Sequence, residues 1–262
     1  MNHRDSMIHP RHLRTSQYVD DTRLRKRIAI HEKFSTSSQK WCQWLFDQMA
    51  FPRSPRILEL GCGTGLFWQE NRHRLPFGTE LTLTDISEGM LQSAHQSLEG
   101  VPFESRVADA QSLPFPDASF DLVIANHMLY HVPDIDLPVR EIRRVLRPGG
   151  FLYAATNGIE HMREIFELTG KGFALRPVAT RFSLENGATQ LEKSFASMER
   201  RDFANDLAVT EVQPVIDYLE STAVEDNLTS SQIDHAREIV SEAIARDGAF
   251  RIRKSTGVLI AR

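Results

Sequence analysis

"ILELGCGTG", Ile57 to Gly65, decides the reading of this 262-residue chain, because an apolar run passes directly into three glycines spaced G-x-G-x-G. Such a run reads as a strand, and glycines at its end leave a backbone that a ligand can approach without a side chain intervening. Outward from it, "ELTLTD" (80–85), "FESRVAD" (103–109), "FDLVIAN" (120–126) and "GFLYAAT" (150–156) read as further strands after "RILELG" (56–61). Helical segments lie between most of them, including "SEGMLQSAHQSL" and "DLPVREIRRVL", the latter closed by Pro148-Gly149-Gly150. Strands alternating with helices predict a mostly parallel sheet covered on both faces, a doubly wound α/β domain with ligands at the carboxyl ends of the strands.

The flanks are read against that core. Residues 1–17 form a charged tail without periodicity, and Asp20 to Met49 carries two helices broken at "STSS" (35–38), whose hydroxyls are placed to cap the second. Beyond Thr156 the sequence predicts a helix and turn, a strand over "QLEKSFASMERRDF", two helices, and a closing strand "AFRIRKSTGVLIAR" kinked near Gly257. Three segments follow: a tail with cap helices (1–50), a ligand-binding core (51–156), and an acceptor cap with completion of the same domain (157–262).

Hydrophobic residues make up 41% of the chain and charged residues 25%, with a net charge of −4, a globular composition without general attraction to nucleic acid. Residues 1–27 hold seven Arg and Lys against three Asp, a local basic cluster read as a solvated or helical arm. No apolar run approaches the roughly 20 residues that span a bilayer, and no apolar stretch at the amino terminus suggests a signal peptide, so a cytoplasmic protein without membrane insertion is expected. Cys42 and Cys62 are the two cysteines, and with Cys62 inside the glycine loop a structural disulfide is not expected.

Dinucleotide loops use G-x-G-x-x-G, whereas Gly61, Gly63 and Gly65 give G-x-G-x-G. "ELGCGTG" resembles the glycine loop of class I S-adenosylmethionine-dependent methyltransferases. "LTDIS" followed by Met90, "VADAQSLPFPDASFDLVIAN", "HMLYHVPD" and "RRVLRPGG" resemble further segments of that family in order and spacing, over about 57–151. The resemblance, to the subgroup with small-molecule and quinone methyltransferases, implies a Rossmann-like seven-stranded sheet with an antiparallel last strand and a helical amino-terminal cap. It implies S-adenosyl-L-methionine as cofactor, S-adenosyl-L-homocysteine as product, and a small-molecule acceptor.

Asp85, at a strand end 20 residues after Gly65, is suited to accept from both ribose hydroxyls. By resemblance, Asp109 and the Ala110 amide address the adenine, Ile86 and Met90 sandwich it, and Glu59 with the Gly61 and Asn126 backbone orients the methionine end. Cys62, Gly63 and Gly65 complete the loop. A carboxylate such as Glu59 inside an apolar strand implies a task, since burying it unpaired is costly. Methyl transfer from an activated sulfonium needs chiefly alignment, so no catalytic triad is required. His127 and His131 are the candidate general bases, although their H-x-x-x-H spacing also fits two metal ligands on one helix. It lacks a third ligand, and no metal is expected. Tyr18, Asn157 and His161 are candidates for the acceptor pocket. Trp41 and Trp44 share a helical face that packs against the sheet more readily than it serves an aromatic substrate.

The leading reading is methylation of oxygen or nitrogen, with carbon open, on a small molecule by a monomer or homodimer, with the amino-terminal helices as a mobile lid. The alternatives are an RNA- or protein-directed methyltransferase, a non-catalytic S-adenosylmethionine-binding protein and, more distantly, an NAD-dependent oxidoreductase.

Overall fold

The computed structural model describes residues 22–168, 181–222 and 228–262. The predicted tail and Tyr18 lie outside the described residues. In chain order the elements are α1 (Thr22–Phe34), α2 (Trp41–Asp47), β1 (Arg56–Leu60), α3 (Leu66–Asn71), β2 (Glu80–Asp85), α4 (Glu88–Ser97), β3 (Glu104–Val107) and β4 (Phe120–Asn126). They continue as α5 (Asp136–Val145), β5 (Leu146–Asn157), α6 (Arg163–Glu167), α7 (Gly187–Leu191), β6 (Met198–Asp202), β7 (Asp206–Val209), α8 (Val212–Thr222), α9 (Ser230–Asp247), β8 (Phe250–Arg253) and β9 (Thr256–Ala261).

Seven strands form one sheet in the order β3-β2-β1-β4-β5-β9-β6. β1 pairs in parallel with β2 on one side, Glu59 opposite Leu83, and with β4 on the other, Glu59 opposite Ile124. The chain therefore leaves β1 toward β2 and β3 and returns to continue with β4 and β5, which makes the β1/β4 boundary the switch point where doubly wound sheets bind ligands. β9 is antiparallel to both β5 and β6, so the last strand in sequence is inserted next to the sheet edge.

Period-two alternation distributes the strands' side chains to two cores. Leu58, Leu60, Val123 and Ala125 face α5 through Val139, Ile142 and Val145. Ile57, Leu83, Leu122 and Ile124 face α2, α3 and α4 through Leu45, Trp68 and Leu91. A third core joins Ile30 and Phe34 of α1 to Ile216 of α8, Val240 of α9 and Ile252 of β8, beside the sheet rather than on it. No described helix is long and apolar enough to cross a membrane.

Four local expectations are corrected. The closing stretch is two strands broken at Lys254-Ser255, not one strand kinked near Gly257, and β8 pairs with β7 in a separate two-stranded sheet. There the backbone N–H of Lys254 bonds Asp206 Oδ1 at 2.9 Å and that of Ser255 bonds His161 Nδ1 at 3.2 Å, side-chain acceptors in place of a ladder. Of residues 190–203, only Met198–Asp202 is strand. α5 ends at Val145, before the Pro-Gly-Gly, because Leu146 is already extended and pairs with Phe120. The serines before α2 do not cap it: Lys40 occupies that position without a side-chain bond, while Ser37 Oγ accepts from the Gln39 N–H.

Candidate functional site

Leaving β1, the chain turns through Gly61, Gly63 and Gly65, at φ 62°, 55° and 76°, in the left-handed region that side chains resist. Space is short as well, since a Cβ on Gly65 would stand 2.9 Å from Leu98 Cδ1 of the segment closing α4. The loop's own amides are largely committed: Cys62 N–H to Thr84 O at 2.9 Å, Gly65 N–H to Cys62 O at 3.0 Å, and Gly63 N–H to Asp85 Oδ2 at 3.0 Å. Asp85, 8% exposed, also accepts the Ser87 N–H through Oδ1 at 2.8 Å, so one carboxylate ties the glycine loop to the end of β2. Sequence reasoning gave Asp85 a ligand and missed this tether.

Glu59 is 1% exposed, and its Oε2 accepts the Trp68 Nε1–H at 2.5 Å. Burial raises its pKa from 4.5 to about 8, the Trp68 bond opposing and the nearby Asp85 charge adding. Asp85 is raised too, by burial, against the backbone bonds it accepts. Two buried carboxyls thus flank the loop, and no Lys or Arg among the described residues pairs with either. A pyrophosphate here would meet two carboxyls and amides already bonded; a ligand with an ammonium and neighbouring hydroxyls would satisfy them.

The remaining expected cofactor contacts sit at neighbouring strand ends. Ser87 Oγ caps α4 by accepting the Met90 N–H, and Met90 is buried while Ile86 is half-buried. β3 stops at Val107, two residues before the strand end expected from the sequence, and the Ala108 N–H bonds Asp85 O at 3.0 Å, which carries Asp109 beside the end of β2. Asp109 Oδ1 holds the Gln111 N–H at 2.9 Å, and Ala110 is buried. Asn126, ending β4, accepts the Trp41 Nε1–H through Oδ1 at 3.3 Å.

His127 and His131 are not on one helix. His127 has φ 55° and donates its backbone N–H to Ala155 O at 3.0 Å, whereas His131 closes a single 3-10 turn, Leu129–His131. Burial, with Lys254 adding, lowers the His127 pKa from 6.5 to about 4, and burial, with Arg27 and His127 adding, lowers that of His131 to about 3. Both imidazoles are neutral near pH 7 and weak as free bases. Asn157 Oδ1 accepts the Thr256 hydroxyl at the carboxyl end of β5, and His161 is 5% exposed and bonded to Ser255.

Other residues reach this region from distant elements. His31 of α1 lies 6.3 Å from His161 and 6.1 Å from Tyr218, ring to ring, and burial followed by the Lys254 charge lowers its pKa to about 3. Trp41 stacks on Trp44 at 5.3 Å and also meets His127 at 5.1 Å and Phe203 at 5.6 Å. The tryptophans therefore pack on the sheet core, as expected, and wall the His127 side as well. Lys254 places Nζ 6.0 Å from the Phe203 ring, and burial lowers its pKa to about 8. The histidines were visible in sequence; Lys254 carried only the weak signal of a charge between two alternating apolar segments.

Residues 58–154 match a family described as methyltransferase domain. The chain is 36% identical over 130 residues to 27-O-demethylrifamycin SV methyltransferase of Amycolatopsis mediterranei, covering 45% of this chain and 46% of that one. It is 24% identical over 240 residues to Methyltransferase GfsG of Streptomyces halstedii, covering 86% of this chain and 76% of that one. The match thus spans about half the length of the first relative. Among solved structures it resembles phosphoethanolamine N-methyltransferase 2 of Haemonchus contortus, in complex with phosphomonomethylethanolamine and S-adenosylhomocysteine. The TM-score is 0.57 at 18% identity, over 94% of this chain and 57% of that one, a likeness of fold.

Proposed function

We propose, from the match of residues 58–154 to a methyltransferase domain family, that the chain is a class I S-adenosylmethionine-dependent methyltransferase and transfers a methyl group from S-adenosylmethionine to a small-molecule acceptor. The observation that carries this reading is the pair of buried carboxyls, Glu59 and Asp85, around a loop whose three glycines are all left-handed. Glu59 would hold the cofactor's ammonium and Asp85 its ribose hydroxyls, with Ile86 and Met90 against the adenine and Asp109 and the Ala110 amide at its polar edge. The Gly61 and Asn126 backbone would complete the methionine end.

When bound, S-adenosylmethionine supplies an activated methyl that an aligned nucleophile displaces in line. The chain's part is positioning and exclusion of water, which can lower a barrier by roughly 7–11 kcal/mol. Trp41, which meets His127 at 5.1 Å and Phe203 at 5.6 Å beside the carboxyl end of β4, supports this reading as an aromatic cover over that edge. Oxygen or nitrogen is the preferred target atom and carbon a further one; a cytoplasmic location and a monomer or homodimer belong to the same proposal. Single-turnover assays with methyl-labelled S-adenosylmethionine against panels of hydroxylated, amino and quinone-type acceptors test it. Label in a small-molecule product is the expected result, and label only in protein or RNA would move the assignment to a macromolecular target.

A further inference from the structure

The described chain divides by its apolar cores. The third core is built from α1, α6, β7, α8, α9 and β8, through Ile30, Ile165, Leu207, Ile216, Val240 and Ile252, and takes no side chain from the seven-stranded sheet. Helix α2 belongs to the other body, since Leu45 and Phe46 pack with Ile57 and Leu83 of the sheet. Closely packed pairs of elements, such as α1 with α8 or α2 with α3, likewise lie within one body or the other. Among the described residues the passages between the bodies are 35–40, 158–162, 203–205 and 254–255. Hydrogen bonds gather them into one seam. The Thr36 N–H donates to Asp206 O at 2.9 Å, and Thr36 Oγ1 accepts the Asp206 N–H at 2.9 Å. The Gly158 N–H bonds Ser255 O at 2.9 Å, that of Met162 bonds Arg253 O at 3.0 Å, and that of Phe203 bonds Thr256 O at 2.9 Å. Asn205 Oδ1 accepts the Ser35 hydroxyl at 2.8 Å and the Ser37 N–H at 3.0 Å. The seam lies at the carboxyl end of β5, where Asn157 pairs with Thr256.

Two bodies with separate apolar cores shift against each other at little cost, because no core side chain has to leave its packing, and passages that run side by side supply an axis. Two further observations place the axis here. Met162, buried and not glycine, is held at φ 57° just before α6, the left-handed strain that collects in moving segments. Beside the seam, Thr36, Asn205, Asp206, Lys254 and Ser255 border a cleft of about 510 Å³ instead of a packed interface. We infer that α1, α6, α8, α9 and the β7/β8 ribbon turn as one cap on the sheet body about this seam, with Asn205 holding its passages together, and so cover and uncover the carboxyl edge beside β5. The lid expected from both amino-terminal helices is thereby divided: α1 travels with the cap and α2 stays on the sheet. Only the identity of what enters at that edge, a methyl acceptor, rests on the methyltransferase reading.

The test is pulsed electron paramagnetic resonance on the full chain without added ligand, spin-labelled in pairs at exposed positions; Cys42 and Cys62 are buried and stay unlabelled. Glu238→Cys on α9 with Gln96→Cys on α4 spans the seam. Glu238→Cys with Ala29→Cys on α1 stays within the cap, and Gln96→Cys with Asp47→Cys on α2 stays within the sheet body. The spanning pair should give a broad or two-peaked distance distribution, and each of the other pairs a single narrow one. Asn205→Ala, which removes the acceptor shared by Ser35 and Ser37, should widen the spanning distribution and leave the other two unchanged. A spanning distribution as narrow as the others, a broad distribution between α1 and α9, or equal widening of all three in Asn205→Ala overturns the inference. Failure of S-adenosylhomocysteine to bind in a separate titration would overturn the methyltransferase reading instead, and the ligand-free distances would still decide the movement of the cap.

Discussion

Glu59→Gln separates a carboxyl that binds from one that is merely buried. In the ligand-free protein burial holds the Glu59 pKa at about 8, so at pH 7 only about one molecule in eleven is ionised there. An ammonium seated against Glu59 reverses the balance by favouring the carboxylate. Binding of S-adenosylhomocysteine at pH 7 should then release about 0.9 proton per site from Glu59. The ionised fraction rises from about one in a hundred at pH 6 to one half at pH 8, so apparent affinity should rise roughly 50-fold across that window. Cys62, with its thiol pushed upward by burial, stays neutral throughout, and Asp85, also raised by burial, contributes in the same direction. Stability of the ligand-free fold runs the other way. A carboxyl raised from 4.5 to about 8 contributes fully below the ordinary value and loses that contribution as pH climbs through 8. The assay is calorimetric titration in two buffers of different ionisation enthalpy. Wild type should show buffer-dependent heat that Glu59→Gln lacks; tight binding with buffer-independent heat in wild type would refute the placement of Glu59 at a cationic group.

Other outcomes follow from neighbouring geometry. Asp85→Ala should weaken S-adenosylhomocysteine binding by roughly 10- to 150-fold and lower the thermal midpoint, because the Gly63 N–H loses its acceptor; unchanged affinity removes Asp85 from the site. Gly65→Ala and Gly100→Ala form a matched pair, both at positive φ, but a Cβ at Gly65 meets Leu98 at 2.9 Å and one at Gly100 meets nothing within 4 Å. Gly100→Ala should cost about 1–2 kcal/mol and Gly65→Ala about 2–4 kcal/mol in urea unfolding, and equal costs would discard the packing argument. His31, His127 and His131 are depressed to about 3, 4 and 3 from 6.5, so their stability contribution is complete above 6.5 and is lost as pH falls toward those values. In the Glu59→Gln, Asp85→Asn background, where neither opposing carboxyl titrates, the urea midpoint should be lower at pH 5 than at pH 7; a flat profile would show that the imidazoles titrate normally.

The parallel sheet and its loop were legible because their signals are local. Strand runs alternate with helices, and Gly61, Gly63 and Gly65 differ from a dinucleotide loop within five residues. Glu59 stood out as an acid in an apolar strand, and its burial against Trp68 accounts for that oddity. The position of β9 between β5 and β6 was not legible, since it depends on pairing Asn157 with Thr256 across about 100 residues of chain. The break at Lys254-Ser255 was missed for a related reason: the acceptors that stop the ladder, Asp206 and His161, come from two other parts of the chain. The H-x-x-x-H spacing, set aside as a metal site on sequence grounds, has no helical counterpart, because a left-handed His127 does not continue a helix to His131. The grouping of Trp41 with Phe203 and Lys254 joins α2 to the connections after β6 and β8 and has no sequence motif.

The most direct test of the central claim is calorimetric titration of the purified full chain with S-adenosylmethionine, S-adenosylhomocysteine and NAD in parallel. Binding of both sulfur compounds at about one per chain and micromolar affinity, with none of NAD, is the result that the buried carboxyl pair and the G-x-G-x-G loop require. Binding of NAD alone, or of none of the three, would contradict the account.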